Sequence, residues 1–503
     1  MLAPVAVAGL LAAWSLNFGL PFLFRPDEDV MVGRAVRMAV DHSLDPLFYN
    51  YPPLGFWLLA AAEAGLGRIP GQHLGPATVV DPTAEYLVAR VLSVVAFILA
   101  VLFVHLTARR TWGGLAGLVA GVALAVSPLA VRQAHFATTD GLAMALVAAA
   151  LWAAVRARGQ GGLLVAGAIC GLAAATKYTS GAALVAVLVL AAMGPGSGRT
   201  GRLTAAVAGA AVPFAAVMVV AGHPRDYLQG LLFLGGRAGG AYDTPIGWIA
   251  HTTLSVPFGL GLGTTAVVAA GILVALLRRH ALDVALLAFV VVYALLIGFS
   301  HEVFFRYVMP VLPALCVLAG GVARAAPGLT GRIAGAAGLI ALLLTLPAAY
   351  ASVQTDRLLG QTDTRRQAAD WLLANAAPGS QLRISSYFAQ PFYDSGELEQ
   401  DKLLHLYQTG DPIADSFQLG RFTDRFRVNR PGSPCYTILE SGPPWQYPTP
   451  ASSGRVLARF TPYTGPVRGQ AVYDRLDSFY LPLWGFEDLD DPGPAMVIVA
   501  GCG

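Results

Sequence analysis

Apolar residues in this chain come in long unbroken runs joined by short polar connections, and the runs stop near residue 350. A helix of about 20 apolar residues spans a bilayer. Eleven spans are predicted, at 3–24, 86–108, 114–131, 140–155, 162–176, 181–194, 203–221, 254–277, 282–299, 307–323 and 333–350. The fifth and sixth are short enough to be read as one, and the arginines keep them apart. With the N-terminus inside, short cytoplasmic connections carry Arg109, Arg110, Arg156, Arg158, Arg199, Arg202, Arg278, Arg279, Arg324 and Arg332. The short external connections near 132–139, 177–180 and 300–306 carry only Arg132, Lys177 and Arg306. That is the bias that positive charge imposes on orientation. Merging the two short spans would put Arg199, Arg202, Arg278 and Arg279 on the opposite side from Arg109, Arg110, Arg156 and Arg158.

An odd number of spans leaves residues 351–503 outside, along with a first external loop at 25–85. Within that loop, 54–67 (LGFWLLAAAEAGLG) is apolar but too short to cross comfortably. It reads as a helix lying at the interface, with Tyr49, Tyr51, Phe56 and Trp57 at the headgroup level. Residues 1–24 lack a positive n-region and a small-residue cleavage site before Arg25, so they read as an uncleaved first span. Beyond 350 the pattern changes. A helix is predicted at 363–377, capped by Asp363 or Thr364 and ended by Pro378-Gly379. Three β-prone runs follow: PGSPCYTILESG, SGRVLARFTPYTG and GPAMVIVAGCG. The expected architecture is an α-helical polytopic membrane domain (1–350) with about eleven spans, followed by a small extracytoplasmic α/β domain (351–503).

Composition agrees. Charged residues make up 13% of the 503 residues, against about 25% in soluble domains. Net charge is +3 and no Lys/Arg tract of the nucleic-acid-binding kind is present. Cys170 and Cys316 fall in apolar runs and read as packing residues. Cys435 and Cys502 lie in the tail, where an oxidising compartment would allow a disulfide. Ala, Gly and Arg are abundant and Lys is scarce, as in a GC-rich prokaryote.

Ionisable groups beside apolar spans are expensive and tend to mark substrate paths. Asp27 and Glu28, in FRPDEDV, offer a base or a cation site; equally, Asp27 caps a helix and Glu28 and Asp29 favour its dipole. Tyr51-Pro52-Pro53 starts the interfacial helix. Asp140, in HFATTDGLAMAL, is either a helix-cap type or a second carboxylate in the same cavity as Asp27; His135 before it reads as a surface residue. Lys177, in AATKYTSG, must snorkel or pair, and a headgroup phosphate would suit it. His301, Glu302, Arg306 and Tyr307 crowd one short outer connection. Arg306 is suited to clamp a phosphate, or to pair with Glu302 across a helical turn. No P-loop, dinucleotide fingerprint or HExxH is present. A lipid-linked donor suits a protein with its charges at the outer interface.

In order and spacing, RPDED, YNYPPLGFWLLA, SPLAVRQAHFATTD, GLAAATKYTSG, FFRYVMPVLPAL, DTRRQAADWL and DSFYLPLWGFEDLDDPGPAMVIV resemble the polyprenyl-phosphate-dependent GT-C-fold glycosyltransferases. The similar branch is the bacterial one related to protein O-mannosyltransferases and aminoarabinose transferases. The resemblance implies transfer of a sugar from a polyprenyl-phosphate carrier to a glycan, lipid or protein acceptor at the outer face of the inner (plasma) membrane. It implies that Asp27, with Glu28 beside it, is the base, and that Lys177 and Arg306 hold the carrier phosphate. Tyr51, Asp140, His301 and Glu302 complete the substrate-binding set. A basic residue that the family often carries just after the proline pair is missing here, where Glu63 and Arg68 are the nearest charges. No nucleotide is required at the outer face, and a divalent cation on Asp27 and Glu28 is the alternative to a metal-free base. The rival class is a lipid-linked sugar flippase or transporter, for which repeat symmetry and mid-membrane charges are expected.

Overall fold

The computed structural model describes residues 2–20, 24–25, 27–69, 82–195, 198–240, 245–324, 331–376, 380–384, 434–441, 454–465, 471–474, 476–477 and 480–501. Helices dominate up to residue 375. They are α1 (Leu2–Ala13), α2 (Glu28–Asp41), α3 (Leu54–Leu66), α4 (Thr83–Trp112), α5 (Gly114–Ala125), α6 (Pro128–Ala134), α7 (Thr139–Arg156), α8 (Gly159–Ala174), α9 (Leu184–Met193) and α10 (Arg199–Ala221). The series continues with α11 (Pro224–Ala238), α12 (Gly247–Ala250), α13 (Val256–Leu260), α14 (Leu262–Arg278), α15 (Ala281–Gly298), α16 (Leu312–Gly320), α17 (Gly331–Leu343), α18 (Leu346–Leu359) and α19 (Thr364–Asn375). Tighter 3-10 turns at Tyr178–Ala183 and Phe305–Val311 lead into α9 and α16.

Among the described residues, six helices are long and apolar enough to cross a membrane, or up to eight if each of two bent pairs is one span. The shorter apolar helices α1, α8 and α9 stand where three more spans are predicted. Each predicted span thus has a helix at its place, and the protein is a multi-pass membrane protein. Three spans differ from expectation in shape. The first helix ends at Ala13 rather than near residue 24, because Ser15 and Gly19 take left-handed backbone angles (φ 59° and 71°) that no α-helix continues through. The α5–α6 pair bends by 60°. Ser127 caps α6 there, accepting from the Ala130 amide (3.3 Å) and donating to the Gly259 carbonyl (2.7 Å). Between α13 and α14 the chain turns by 113° at Gly261, whose φ of 84° a side chain would oppose.

The chain divides into two compact units. The first comprises Met1–Trp14, Phe48–Leu58 and Arg90–Val353. Its helices approach closely where side chains vanish. A Cβ on Gly167 would sit 2.2 Å from the Ala206 carbonyl oxygen, and one on Gly171 equally close to that of Ala210, so α8 and α10 meet backbone to backbone.

The second unit comprises Ser15–Leu47, Leu59–Ala89 and Gln354–Gly503. It holds a four-stranded sheet of β1 (Gln381–Ile384), β2 (Cys435–Ser441), β3 (Val456–Phe460) and β4 (Ala495–Ala500), in the order β1-β2-β4-β3. Strands β1 and β2 run parallel, and β4 is antiparallel to both β2 and β3. Helix α19 covers the sheet through Ala368, Ala369 and Leu372, against Ile438, Met496 and Ile498. As expected, Asp363 caps α19, accepting from the Arg365 amide at 2.9 Å, and the three β-prone runs form β2, β3 and β4. Cys170 and Cys316 are buried free thiols. Cys435 is disulfide-bonded, while Cys502 lies outside the described residues, as do Pro378 and Gly379.

Candidate functional site

In the first unit three of the expected residues converge. Thr138 takes the N-cap position of α7, without a side-chain capping bond. Asp140 thus stands in the first turn, only 3% exposed. Lys177, in extended backbone between α8 and the following 3-10 turn, donates from Nζ to Asp140 Oδ1. Arg306, in the first turn of the 3-10 segment before α16, brings Nε to 3.9 Å from Asp140 Oδ2. Its guanidinium lies 4.3 Å from the centroid of the Phe304 ring. Two buried cations therefore share the Asp140 carboxylate, and these three side chains together carry a net charge of +1.

Tyrosines surround the cluster. Lys177 Nζ lies 5.3 Å from the Tyr307 ring centroid. Tyr293 donates to the Tyr307 carbonyl at 2.7 Å, and Tyr307 Oη donates to Glu302 Oε2 at 3.3 Å. The Leu54 amide donates to the Ala175 carbonyl (3.1 Å), tying the Tyr51-Pro52-Pro53 turn to the end of α8. Tyr51, Lys177, Tyr293, Glu302 and Tyr307 line a cavity of about 230 Å³, whereas Asp140 and Arg306 are not among its lining residues. Tyr51, Lys177, Glu302 and Tyr307 are among its polar lining residues, and Leu231, Leu234 and Leu296 among its apolar ones. Glu302 is ion-paired with Arg237, at the C-terminal end of α11. Residues 301–304 form no helical turn, so the one-turn geometry expected for a Glu302–Arg306 pair is not built. His301 is exposed and donates its amide to the Ala238 carbonyl (2.7 Å); its side chain is not among the cavity's lining residues.

Asp27 and Glu28 belong to the second unit. Asp27 occupies the N-cap position of α2 with φ 72° and makes no side-chain capping bond, so the helix-cap reading of this residue does not hold. Glu28 and Asp29 are buried. Asp29 accepts from the Val30 amide at 2.8 Å. Burial, reinforced by the Asp27 and Glu28 charges, pushes its carboxyl up to about 7. Among the described residues no three His, Cys, Asp or Glu side chains gather in a metal-binding group.

Residues 83–223, which include Asp140 and Lys177, match the family description of dolichyl-phosphate-mannose-protein mannosyltransferases. The apo crystal structure of ArnT from Cupriavidus metallidurans superposes over 99% of this chain and 97% of that one, at 15% identity and a TM-score of 0.56. The chain has the GT-C glycosyltransferase fold. The undecaprenyl-phosphate-bound structure of the same ArnT gives 14% identity, the same coverage of 99% and 97%, and a TM-score of 0.56. The apo oligosaccharyltransferase of Archaeoglobus fulgidus gives 15% identity and a TM-score of 0.51, over 86% of this chain and 64% of that one. No protein of curated function matches the sequence.

Within this GT-C chain, some residues of note escape sequence reading. Arg237 ends an amphipathic helix, and its partner Glu302 is far away in sequence. Tyr293 is buried within α15, where an apolar run hides it. Asp29, in the first turn of α2, reads from sequence only as favouring the helix dipole. His135, expected at the surface, is buried: Nδ1 lies 2.9 Å from the Val131 carbonyl and Nε2 lies 2.7 Å from that of Trp14. Both ring nitrogens are placed by backbone, so this histidine is structural.

Proposed function

We propose that this GT-C protein transfers a sugar from a polyprenyl-phosphate-linked donor to an acceptor at the extracytoplasmic face, with inversion at the anomeric carbon. The observation that carries this reading is Lys177, which lines an apolar-walled cavity and is held by Asp140, itself 3.9 Å from Arg306 Nε. A phosphodiester carries one negative charge, opposite in sign to the net charge of Lys177, Asp140 and Arg306 together. An isoprenoid tail suits the Leu231, Leu234 and Leu296 wall. The ArnT of Cupriavidus metallidurans, of the same fold, has been crystallised with undecaprenyl phosphate.

In the reaction, the acceptor hydroxyl attacks the anomeric carbon while Asp27 takes its proton. The bond from that carbon to the phosphate oxygen breaks, and the carrier leaves as a phosphomonoester with one more negative charge. Lys177 and Arg306 stabilise that charge as it develops. Tyr51 and Glu302 border the donor cavity, and Asp140 holds the two cations in place. Residues 1–350 form the membrane-embedded catalytic part in this reading. Residues 351–503 face outside, consistent with the placement of the arginines, and the inner (plasma) membrane is the site of action.

The test uses membranes containing the protein and a radiolabelled lipid-linked sugar extracted from the source organism. Label should pass to a non-lipid-carrier product in the wild type and not in Asp27→Asn, with both proteins equally folded. Full activity of Asp27→Asn would remove the base assignment. Movement of the lipid-linked sugar across the membrane without turnover would identify a flippase. Loss of activity in EDTA, restored by a divalent metal, would assign Asp27 and Glu28 to a cation.

A further inference from the structure

Within the second unit, the segment that leads into Asp27 is anchored by groups far along the chain. Arg25 is ion-paired with Asp477, and both side chains are 1% exposed. The preceding residue, Phe24, is buried under the Arg365 guanidinium, 4.5 Å from its ring centroid. Arg365 also faces the ring of Tyr480 at 5.5 Å, and Asp363 grips it through two bonds of 2.9 and 2.8 Å. Asp477 lies three residues before Tyr480, so the two anchors come from neighbouring positions late in the sequence. Two residues after Arg25 the backbone enters the left-handed region at Asp27. A non-glycine residue holds that conformation only where its surroundings determine it.

Resting on the reading of Asp27 as the base, we propose that Asp477 is a positioning residue for the transfer reaction: through Arg25 it sets the backbone from which Asp27 reaches the acceptor hydroxyl. A buried ion pair broken on one side leaves an uncompensated charge that drives local rearrangement. A misplacement of about 1 Å at a reacting group lowers rate by about 100-fold. The C-terminal region thus contributes to the catalytic geometry itself, whatever acceptor it also meets.

The experiment compares the full-length wild type, Asp27→Asn, Asp477→Asn and the charge-exchanged double variant Arg25→Asp/Asp477→Arg in source membranes with radiolabelled lipid-linked sugar. For Asp477→Asn the rate at saturating donor should fall by about tenfold or more, while the half-saturating donor concentration stays within about twofold. The exchanged variant should recover a substantial part of that loss. A merely structural role would move donor affinity together with the rate, without rescue, and that result would overturn the proposal. So would a full rate in Asp477→Asn beside an inactive Asp27→Asn. A full rate in Asp27→Asn would instead refute the base assignment, a separate failure. If Asp477→Asn does not fold, the exchanged variant decides: activity above that of Arg25→Asp alone supports the pairing, and equality with it overturns the proposal.

Discussion

Replacing Asp140 by Asn removes one charge from a cluster of three without changing its shape. In the wild type the carboxylate bonds to Lys177 and lies 3.9 Å from Arg306 Nε. At that separation, in the effective dielectric typical of protein sites, each opposite-charge contact has a Coulomb energy of about 4 kcal/mol. Much of that is offset by desolvation, and removing one partner of a buried pair costs about 3–5 kcal/mol. The amide still accepts a hydrogen bond, so Asp140→Asn should lose about 3 kcal/mol, at the low end of that range. The variant then keeps both buried cations without the Asp140 charge, and a phosphate should restore more to it than to the wild type. Denaturant unfolding in detergent, with and without undecaprenyl phosphate, measures both terms. An apo variant as stable as the wild type would refute the buried-cluster reasoning. Equal stabilisation of both proteins by the lipid phosphate would refute the phosphate assignment.

Other substitutions test separate parts of the structure. Gly171→Val places a Cβ 2.2 Å from the Ala210 carbonyl oxygen, which should lower stability in detergent by about 1–3 kcal/mol; unchanged unfolding would refute the backbone-to-backbone packing of α8 and α10. Asp29, with its carboxyl pushed from 3.8 up to about 7, prefers its protonated form in the folded protein. Its contribution is therefore complete below about pH 4 and is lost as pH rises through about 7. Hydrogen exchange in α2 should accelerate, beyond its intrinsic pH dependence, across that window in the wild type and not in Asp29→Asn. His135→Leu removes both backbone contacts of the ring and should destabilise the protein without altering donor affinity, as thermal unfolding and lipid-phosphate titration would show.

Much of the membrane fold was legible because an apolar run and an arginine at its end are local signals. The places where expectation and structure part have non-local causes. The first helix stops at Ala13 because Ser15 and Gly19 turn left-handed, which apolar neighbours do not announce. Gly261 bends its span by 113° inside a run that reads as continuous. His135 sits in a polar stretch, yet its second backbone partner, Trp14, is 121 residues away. The candidate site shows the same division. Asp140, Lys177 and Arg306 each had a bland local explanation, and only their convergence separates them from helix caps and snorkelling side chains. Arg237 escaped notice because Glu302, which it pairs with, is distant in sequence.

Undecaprenyl phosphate binding to the purified protein tests the central claim most directly. Titration of the wild type should show saturable binding that weakens as salt rises. Lys177→Ala/Arg306→Ala should bind at least about 100-fold more weakly, as expected when two charge-assisted contacts of about 1.5–3 kcal/mol each are lost. Equal affinity in the two proteins would contradict the account.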